Sequence, residues 1–87
     1  MRVVVLGREK TDYAREVSDW IEWFYRETGH RPEFLNPDTV EGDAFGKVRD
    51  VLQYPTILVV LNDGTEVFRK SGKPLPQVSE VSYYLDS

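Results

Sequence analysis

The sequence predicts an α/β fold in which a four-stranded mixed sheet carries helices on both faces, in the order β-α-β-α-β-β-α. A β-branched run opens the chain, a long helical period follows it, and a hydrophobic strand later runs into a tight turn that starts a hairpin. Two strands separated by a helix are expected to be parallel, with a right-handed crossover, and the hairpin adds an antiparallel edge.

Composition limits the classes of function that are open to this chain. Its 87 residues are 40% hydrophobic and 30% charged, which is typical of a globular protein. A formal charge of -4 disfavours non-specific binding to nucleic acid. The apolar run from Val3 to Leu6 is too short for the core of a signal peptide, and no stretch approaches the ~20 apolar residues of a membrane span. We therefore expect a cytoplasmic monomer with neither a nucleic-acid nor a membrane partner.

The first half of the chain predicts an inner strand and the longest helix. The strand covers Arg2 to Leu6 and ends at Gly7. The helix begins at Thr11 or Asp12, either of which can cap it, and ends near Gly29. Its apolar residues recur at spacings of three and four: Tyr13, Val17, Trp20, Ile21 and Phe24. Trp20 and Trp23 cannot both face the same core, so one of them is expected at the surface.

A short strand and a weaker helix are predicted next. The strand covers Glu33 to Asn36, and Asp38 followed by Glu41 resembles a capping box. The helix is expected to pack through Ala44, Val48 and Leu52. Gly42 and Gly46 lower its intrinsic stability, each by about 1 kcal/mol relative to alanine.

The last part of the chain predicts a hairpin and a closing helix. Thr56 to Leu61 is the most hydrophobic strand, and Asp63-Gly64 supplies the turn into a strand from Thr65 to Lys70. Alternation within the first strand places Ile57 and Val59 on one face of the sheet and Leu58 and Val60 on the other. The closing helix packs through one face, made of Val78, Val81, Tyr84 and Leu85.

Two stretches of the sequence carry a resemblance to a known family. Tyr54-Pro55-Thr56 and the hairpin up to Gly64 resemble the part of thioredoxin that holds its cis-proline, a buried strand and a turn. Gly7 to Ala14 is similar in layout to the glutaredoxin loop before Cys-x-x-Cys, with Thr11 and Ala14 at the cysteine positions. The chain is thus identified as a thioredoxin-like or glutaredoxin-like member without Cys-x-x-Cys, and the resemblance implies one such domain over residues 1–87.

The resemblance also implies where a ligand would bind. Tyr54-Pro55 would be a cis peptide, which turns the backbone of Tyr54 outward so that an extended peptide can pair with it. Arg8 falls where glutaredoxins carry a basic residue that contacts a carboxylate of glutathione. The chain contains no cysteine, so it cannot form the thiolate that disulfide exchange and glutathione transfer require. We expect no enzymatic activity and no catalytic residues.

The candidate ligand-binding or peptide-binding residues lie at the start of the long helix and at the proline. They are Arg8, Lys10, Thr11, Asp12, Tyr13, Ala14, Tyr54 and Pro55. The free N-H groups of a helix start favour an anion, and Arg8 and Lys10 add positive charge there. The other interpretation is that Thr11 or Asp12 only caps the helix.

Two functions therefore stay open. The preferred one is a redox-inactive module that binds an extended peptide or a protein partner. The alternative is a protein that binds a small ligand, either glutathione-like or an anionic peptide, or a non-redox enzyme that uses the retained pocket. A small-ligand pocket predicts a concave basic site around Arg8 and Lys10, whereas a protein-binding module predicts an exposed apolar patch near Trp23 or Tyr54.

His30 is the only histidine, and it follows the expected end of the long helix at Gly29. A metal site requires several ligands at suitable spacing, and the sequence offers His30 no histidine or cysteine partner. We expect a solvated turn residue, no metal site and no cofactor.

Overall fold

Four strands form one mixed sheet in the computed structural model, which describes residues 1–86. The strands are β1 (Arg2–Leu6), β2 (Glu33–Leu35), β3 (Thr56–Val60) and β4 (Glu66–Ser71). Their order across the sheet is β2-β1-β3-β4. β1 is parallel to β2 and antiparallel to β3, and β3 is antiparallel to β4. The predicted parallel pair, the hairpin and the inner position of β1 are all confirmed.

The helices are α1 (Ala14–Thr28), α2 (Val40–Val48) and α3 (Val78–Ser82), and a 3-10 turn over Tyr83–Asp86 follows α3. Together with the strands they give the predicted order of elements. The expected closing helix is therefore a short α-helix that tightens into a 3-10 turn. Val78 and Val81 are buried in an apolar core, and Tyr84 and Leu85 of the 3-10 turn pack against the same core.

The two faces of the sheet carry separate apolar cores. Ile57 and Val59 face α1 and α3, where they meet Trp20, Phe24 and Val81. Leu58 and Val60 face α2, where they join Phe45 together with Val4, Leu6 and Val51. The alternation predicted for β3 is confirmed. Every residue of this strand is buried because helices cover both faces of the sheet.

The start of α1 differs from the sequence prediction. The N-cap residue is Tyr13, and no side chain caps the helix, so the prediction of Thr11 or Asp12 as a cap is wrong. The N-H of Ala14 donates to the C=O of Thr11 in a turn, so the helix begins only at Ala14. The Thr11 hydroxyl donates to the C=O of Arg8. The end of α1 agrees with expectation, since Gly29 adopts a left-handed φ of 74°.

The cap of α2 is Thr39, whose side chain accepts the N-H of Gly42 at 3.0 Å. The predicted capping box of Asp38 and Glu41 is therefore wrong. The amide oxygen of Asn36 accepts the N-H of Asp38 in a local turn, which leaves Thr39 in the extended conformation of a cap.

The buried face of α2 also differs from prediction. Ala44, Val48 and Leu52 were expected to pack, but Ala44 is exposed, and Val48 and Leu52 are 78% and 87% exposed. The helix ends at Val48, and the chain turns so that the buried Val51 takes the core position. The inner face of α2 instead consists of Gly42, Phe45 and Gly46.

The hairpin agrees with the prediction apart from its ends. β3 ends at Val60 and β4 runs from Glu66 to Ser71, so each boundary moves by one residue. Gly64 supplies a φ of 92° in the turn. The Tyr54-Pro55 and Lys73-Pro74 peptide bonds are both cis.

Candidate functional site

The guanidinium of Arg8 lies at the centre of the candidate site, and Arg8 is the second residue after the end of β1. It forms two hydrogen bonds with the carboxylate of Asp38, from Nε to Oδ2 at 3.0 Å and from Nη2 to Oδ1 at 3.2 Å. Its central carbon lies 5.0 Å from the centre of the Tyr54 ring. We call Arg8, Asp38 and Tyr54 the Arg8 cluster. It joins the end of β1 to the loops that precede α2 and β3.

Tyr13 connects the start of α1 to the same cluster. Its hydroxyl accepts the backbone N-H of Arg8 at 2.9 Å. The ring lies close above Gly7, where an added Cβ would be 3.1 Å from the ring edge. The absence of a side chain at Gly7 therefore lets the Tyr13 ring approach the backbone and fixes the loop between β1 and α1.

The other predicted site residues divide into two groups. Thr11 reaches Arg8 through its hydroxyl, and Pro55 is buried beside Tyr54 with its C=O accepting the N-H of Gly72 at 2.8 Å. The side chains of Lys10 and Asp12 are exposed and form no hydrogen bond or ion pair within residues 1–86. Ala14 faces a different groove, of about 510 Å³, which also contacts Val17, Ile21 and Phe34.

The positive charge of Arg8 is balanced within the site. The hydrogen bonds that Arg8 donates to Asp38 are the main cause that raises the pKa of Arg8 above its ordinary value, while partial desolvation acts in the opposite direction. Both oxygens of the Asp38 carboxylate are engaged by the guanidinium. An anionic ligand would therefore have to compete with Asp38 for Arg8. The sequence did not predict Asp38 as a site residue, because its position three residues before Glu41 is already explained by a helix cap.

Tyr54 is one of several residues of the site, with Lys10 and Asp12, whose backbone groups have no hydrogen-bond partner within residues 1–86. In the described part of the chain, neither its N-H nor its C=O forms a hydrogen bond. The residues on both sides are engaged, since the C=O of Gln53 accepts the Thr56 hydroxyl and the C=O of Pro55 accepts the N-H of Gly72. The N-H and C=O of Tyr54 are therefore left to pair with solvent or with another molecule.

The two tryptophans of α1 have different environments. Trp20 is 5% exposed, and its indole N-H donates to the C=O of Pro76 at 2.7 Å. Trp23 is 51% exposed, and its indole N-H donates to Glu27 at 3.1 Å. The prediction that one tryptophan reaches the surface is confirmed, with Trp23 as the exposed residue.

His30 lies in the turn after α1, where its backbone N-H donates to the hydroxyl of Thr28 at 3.0 Å. Over residues 1–86, no group of three or more histidine, cysteine, aspartate or glutamate side chains is placed to hold a metal ion. No helix in this same range is long and apolar enough to cross a membrane.

No protein-family model and no curated protein matches this sequence. Similar folds occur among solved structures. Thioredoxin 1 from Thermosipho africanus TCF52B superposes with a TM-score of 0.70 at 17% identity, over 99% of this chain and 96% of that chain. A malarial protein superposes with a TM-score of 0.68 at 17% identity, over 97% of this chain and 91% of that chain. The chain thus has a thioredoxin-like fold, and without cysteine it cannot carry out thioredoxin-type redox chemistry.

Proposed function

We propose that this thioredoxin-like chain is a redox-inactive binding module that holds an extended protein segment at Tyr54. The observation that carries the proposal is the backbone of Tyr54, whose N-H and C=O have no partner within residues 1–86. An extended segment can satisfy both groups by pairing as a short added strand. Main-chain pairing of this kind needs no thiol and no metal.

The Arg8 cluster supports this proposal because it holds Tyr54 in place before a partner arrives. The Tyr54 ring packs against the core around Leu58 on one side and lies beneath the Arg8 guanidinium on the other. Arg8 is in turn fixed by Asp38 and by the hydroxyl of Tyr13. A preorganised backbone reduces the entropy that is lost when a segment binds.

The same contacts make the small-ligand alternative less favourable. A glutathione-like ligand, or a non-redox enzyme with an anionic substrate, would use the charge of Arg8, but Asp38 already neutralises that charge. The side chain of Lys10 is exposed and forms no hydrogen bond or ion pair with the Arg8 cluster. The geometry therefore favours recognition through the main chain of Tyr54 over recognition of a carboxylate by Arg8.

A photo-crosslinking experiment tests the proposal. A benzophenone-bearing amino acid is placed at Tyr54 in one version of the full chain and at Val48, an exposed position on α2, in a matched control. After irradiation in native lysate, we expect the Tyr54 version to give discrete protein adducts that the Val48 version lacks. Excess glutathione should leave these adducts unchanged.

Two outcomes would contradict the proposal. Identical adducts from the two positions would show that Tyr54 does not mark a binding edge. Loss of the Tyr54 adducts in the presence of glutathione would favour the small-ligand alternative instead.

A further inference from the structure

The loop that leads from α2 into β3 carries Tyr54, and its first turn has an unusual backbone. Asp50 has a φ of 52°, a left-handed value that only glycines otherwise adopt within residues 1–86. The N-H of Asp50 donates to the C=O of Lys47 at 3.3 Å, and the N-H of Val51 donates to the C=O of Gly46 at 2.9 Å. These two hydrogen bonds form a Schellman motif, in which glycine is the usual left-handed residue. Because an aspartate stands there instead, contacts elsewhere in the protein have to offset its preference for a negative φ.

Arg69, in the edge strand β4, supplies such contacts. Its guanidinium donates from Nη2 to the C=O of Arg49 at 2.5 Å and from Nη1 to the C=O of Asp50 at 3.5 Å. Both carbonyl groups follow the last residue of α2, where the helix itself offers no further N-H partners. The guanidinium also donates to the carboxylate of Glu66, from Nε at 3.0 Å and from Nη2 at 2.8 Å. Glu66 therefore fixes the guanidinium in the position from which it binds the loop.

The register of the sheet places Arg69 on the face that carries α2. Arg69 lies opposite Leu58 in the pairing of β3 with β4, and residues that lie opposite each other share a face of the sheet. Leu58 belongs to the core beneath α2, and Val51 and the ring of Tyr54 pack in that same core. The side chain of Arg69 is 31% exposed, so water competes only in part for its hydrogen bonds.

The other end of the same loop is also bound to β4 and to the residue that follows it. The hydroxyl oxygen of Thr56, the first residue of β3, lies 2.9 Å from the hydroxyl oxygen of Ser71. The C=O of Pro55 accepts the N-H of Gly72 at 2.8 Å. The edge of the sheet at β4 thus holds the loop on both sides of Tyr54, while the N-H and C=O of Tyr54 have no partner within residues 1–86.

From these contacts we propose that Arg69 is a positioning residue for the binding edge at Tyr54. Arg69 holds Asp50 in its left-handed conformation, and this turn sets the direction in which the loop presents the backbone of Tyr54. Only three residues separate Asp50 from Tyr54, so a change of φ at Asp50 displaces the binding groups directly. The inference rests on the proposed function, because it assigns to Arg69 a part in binding the segment that pairs with Tyr54.

Amide hydrogen exchange of the full chain without a partner tests the effect of Arg69 on the loop. We expect Arg69→Ala to speed exchange of the Val51 amide by about tenfold or more relative to the amide of Leu58 in β3. A general loss of stability would speed both amides alike, because global unfolding exposes both of them. The matched control is Arg2→Ala, which removes a comparable pair of hydrogen bonds to Glu33 and should leave the ratio of the two exchange rates unchanged.

Photo-crosslinking at Tyr54 connects the loop to binding. Each substitution is made in the full chain that carries the benzophenone-bearing amino acid at Tyr54, and the discrete adducts formed in native lysate are quantified. We expect Arg69→Ala to reduce their yield by about threefold or more, because the binding groups are no longer held in place. Arg2→Ala should leave the yield unchanged. Arg69→Lys keeps the positive charge but lacks the planar fork, so it should lower the yield as well, and it provides the test if Arg69→Ala does not fold.

A second substitution at Asp50 tests how Arg69 acts. Glycine adopts a positive φ without the steric cost of a Cβ, so Asp50→Gly favours the same turn in the absence of the guanidinium. Asp50→Gly combined with Arg69→Ala should therefore recover part of the adduct yield that Arg69→Ala loses. Glu41→Gly, at an exposed position of α2, is the control for adding a glycine and should recover none of it.

Three results would overturn the inference. Equal acceleration of the Val51 and Leu58 amides in Arg69→Ala would mean that Arg69 contributes only to global stability. An unchanged adduct yield in Arg69→Ala would mean that the loop presents Tyr54 without Arg69. A double variant that recovers no yield would mean that Arg69 does not act through Asp50. In all three cases the unsubstituted chain still forms its Tyr54 adducts, whereas the absence of those adducts contradicts the proposed function, so the two failures are distinguishable.

Discussion

The carboxylate of Asp38 accepts two hydrogen bonds from the guanidinium of Arg8, although the two residues are 30 positions apart in the chain. This ion pair holds the guanidinium over the ring of Tyr54, and the negative charge of Asp38 balances the positive charge of Arg8. Arg8, which the sequence predicts to recognise an anion, thus packs over the ring of Tyr54. The N-H and C=O of the Tyr54 backbone have no hydrogen-bond partner within residues 1–86.

Leu58 should be among the residues that contribute most to stability. It is fully buried in the core between the sheet and α2. Leu58→Ala is expected to lower the free energy of unfolding by ~2 to 5 kcal/mol, because it removes apolar contacts and leaves a cavity. Denaturant titration measures this change.

The control is Leu52→Ala at an exposed leucine, which should change the free energy of unfolding by less than about 0.5 kcal/mol. A loss below about 1 kcal/mol for Leu58→Ala would contradict the central position of β3.

The two glycines of α2 should respond oppositely to alanine. A Cβ at Gly42 would lie 2.0 Å from the C=O oxygen of Asn36, so Gly42→Ala must displace backbone. We expect it to lower the free energy of unfolding by ~1 to 3 kcal/mol. At Gly46 the nearest atom is 3.8 Å from the added Cβ, so Gly46→Ala should raise the free energy of unfolding by roughly 0.5 to 1 kcal/mol through helix propensity. Thermal and denaturant unfolding of both variants checks the contrast, which would be refuted if Gly42→Ala were the more stable protein.

Glu33 should make part of the stability dependent on pH. Arg2 donates two hydrogen bonds to its carboxylate, both at 2.8 Å, and these lower the pKa of Glu33 from its ordinary value of 4.5, while desolvation opposes the shift. A carboxylate whose pKa is lower in the folded state stabilises the fold above its unfolded pKa, and this contribution is lost as the pH falls through the folded pKa.

Because the pKa of Glu33 is lowered in the folded state, the difference in free energy of unfolding between wild type and Glu33→Gln should depend on pH. At neutral pH the substitution should reduce the free energy of unfolding by about 0.2 to 1 kcal/mol, since the pair is partly exposed. The difference should shrink as the pH is lowered below the ordinary value of 4.5. Urea titrations over a pH series measure it, with Glu9→Gln as a control at an exposed glutamate. A difference that grows on acidification would be inconsistent with the Arg2 to Glu33 pair.

The order of elements and most of the core could be predicted because they depend on local patterns. The alternation of Ile57 and Leu58 between two faces, the burial of Trp20 and the end of α1 at Gly29 all follow from periodicity and backbone preference. The helix starts could not be predicted in the same way. Both Asp38 and Thr39 can cap a helix, and the choice was decided by Asn36 and by the distant Arg8.

The inner face of α2 shows a second limit of sequence patterns. The sequence places Val48 and Leu52 at a helical spacing that is equally consistent with a buried or an exposed stripe. The structure turns Gly42 inward because only a glycine allows the close approach of the Asn36 carbonyl. A search for helix faces by their hydrophobic residues overlooks glycine, which has no apolar side chain. The sequence pattern therefore did not predict that the inner face of α2 contains Gly42.

Amide hydrogen exchange at Tyr54 tests the binding proposal at the group that carries it. By NMR on the full chain without a partner, we expect the Tyr54 amide to exchange quickly, since it has no acceptor within residues 1–86, while the amide of the buried Leu58 in β3 is protected. Addition of the protein segment identified by crosslinking at Tyr54 should slow exchange of the Tyr54 amide. If that segment binds and leaves the Tyr54 amide as exposed to exchange as before, main-chain recognition at Tyr54 is wrong.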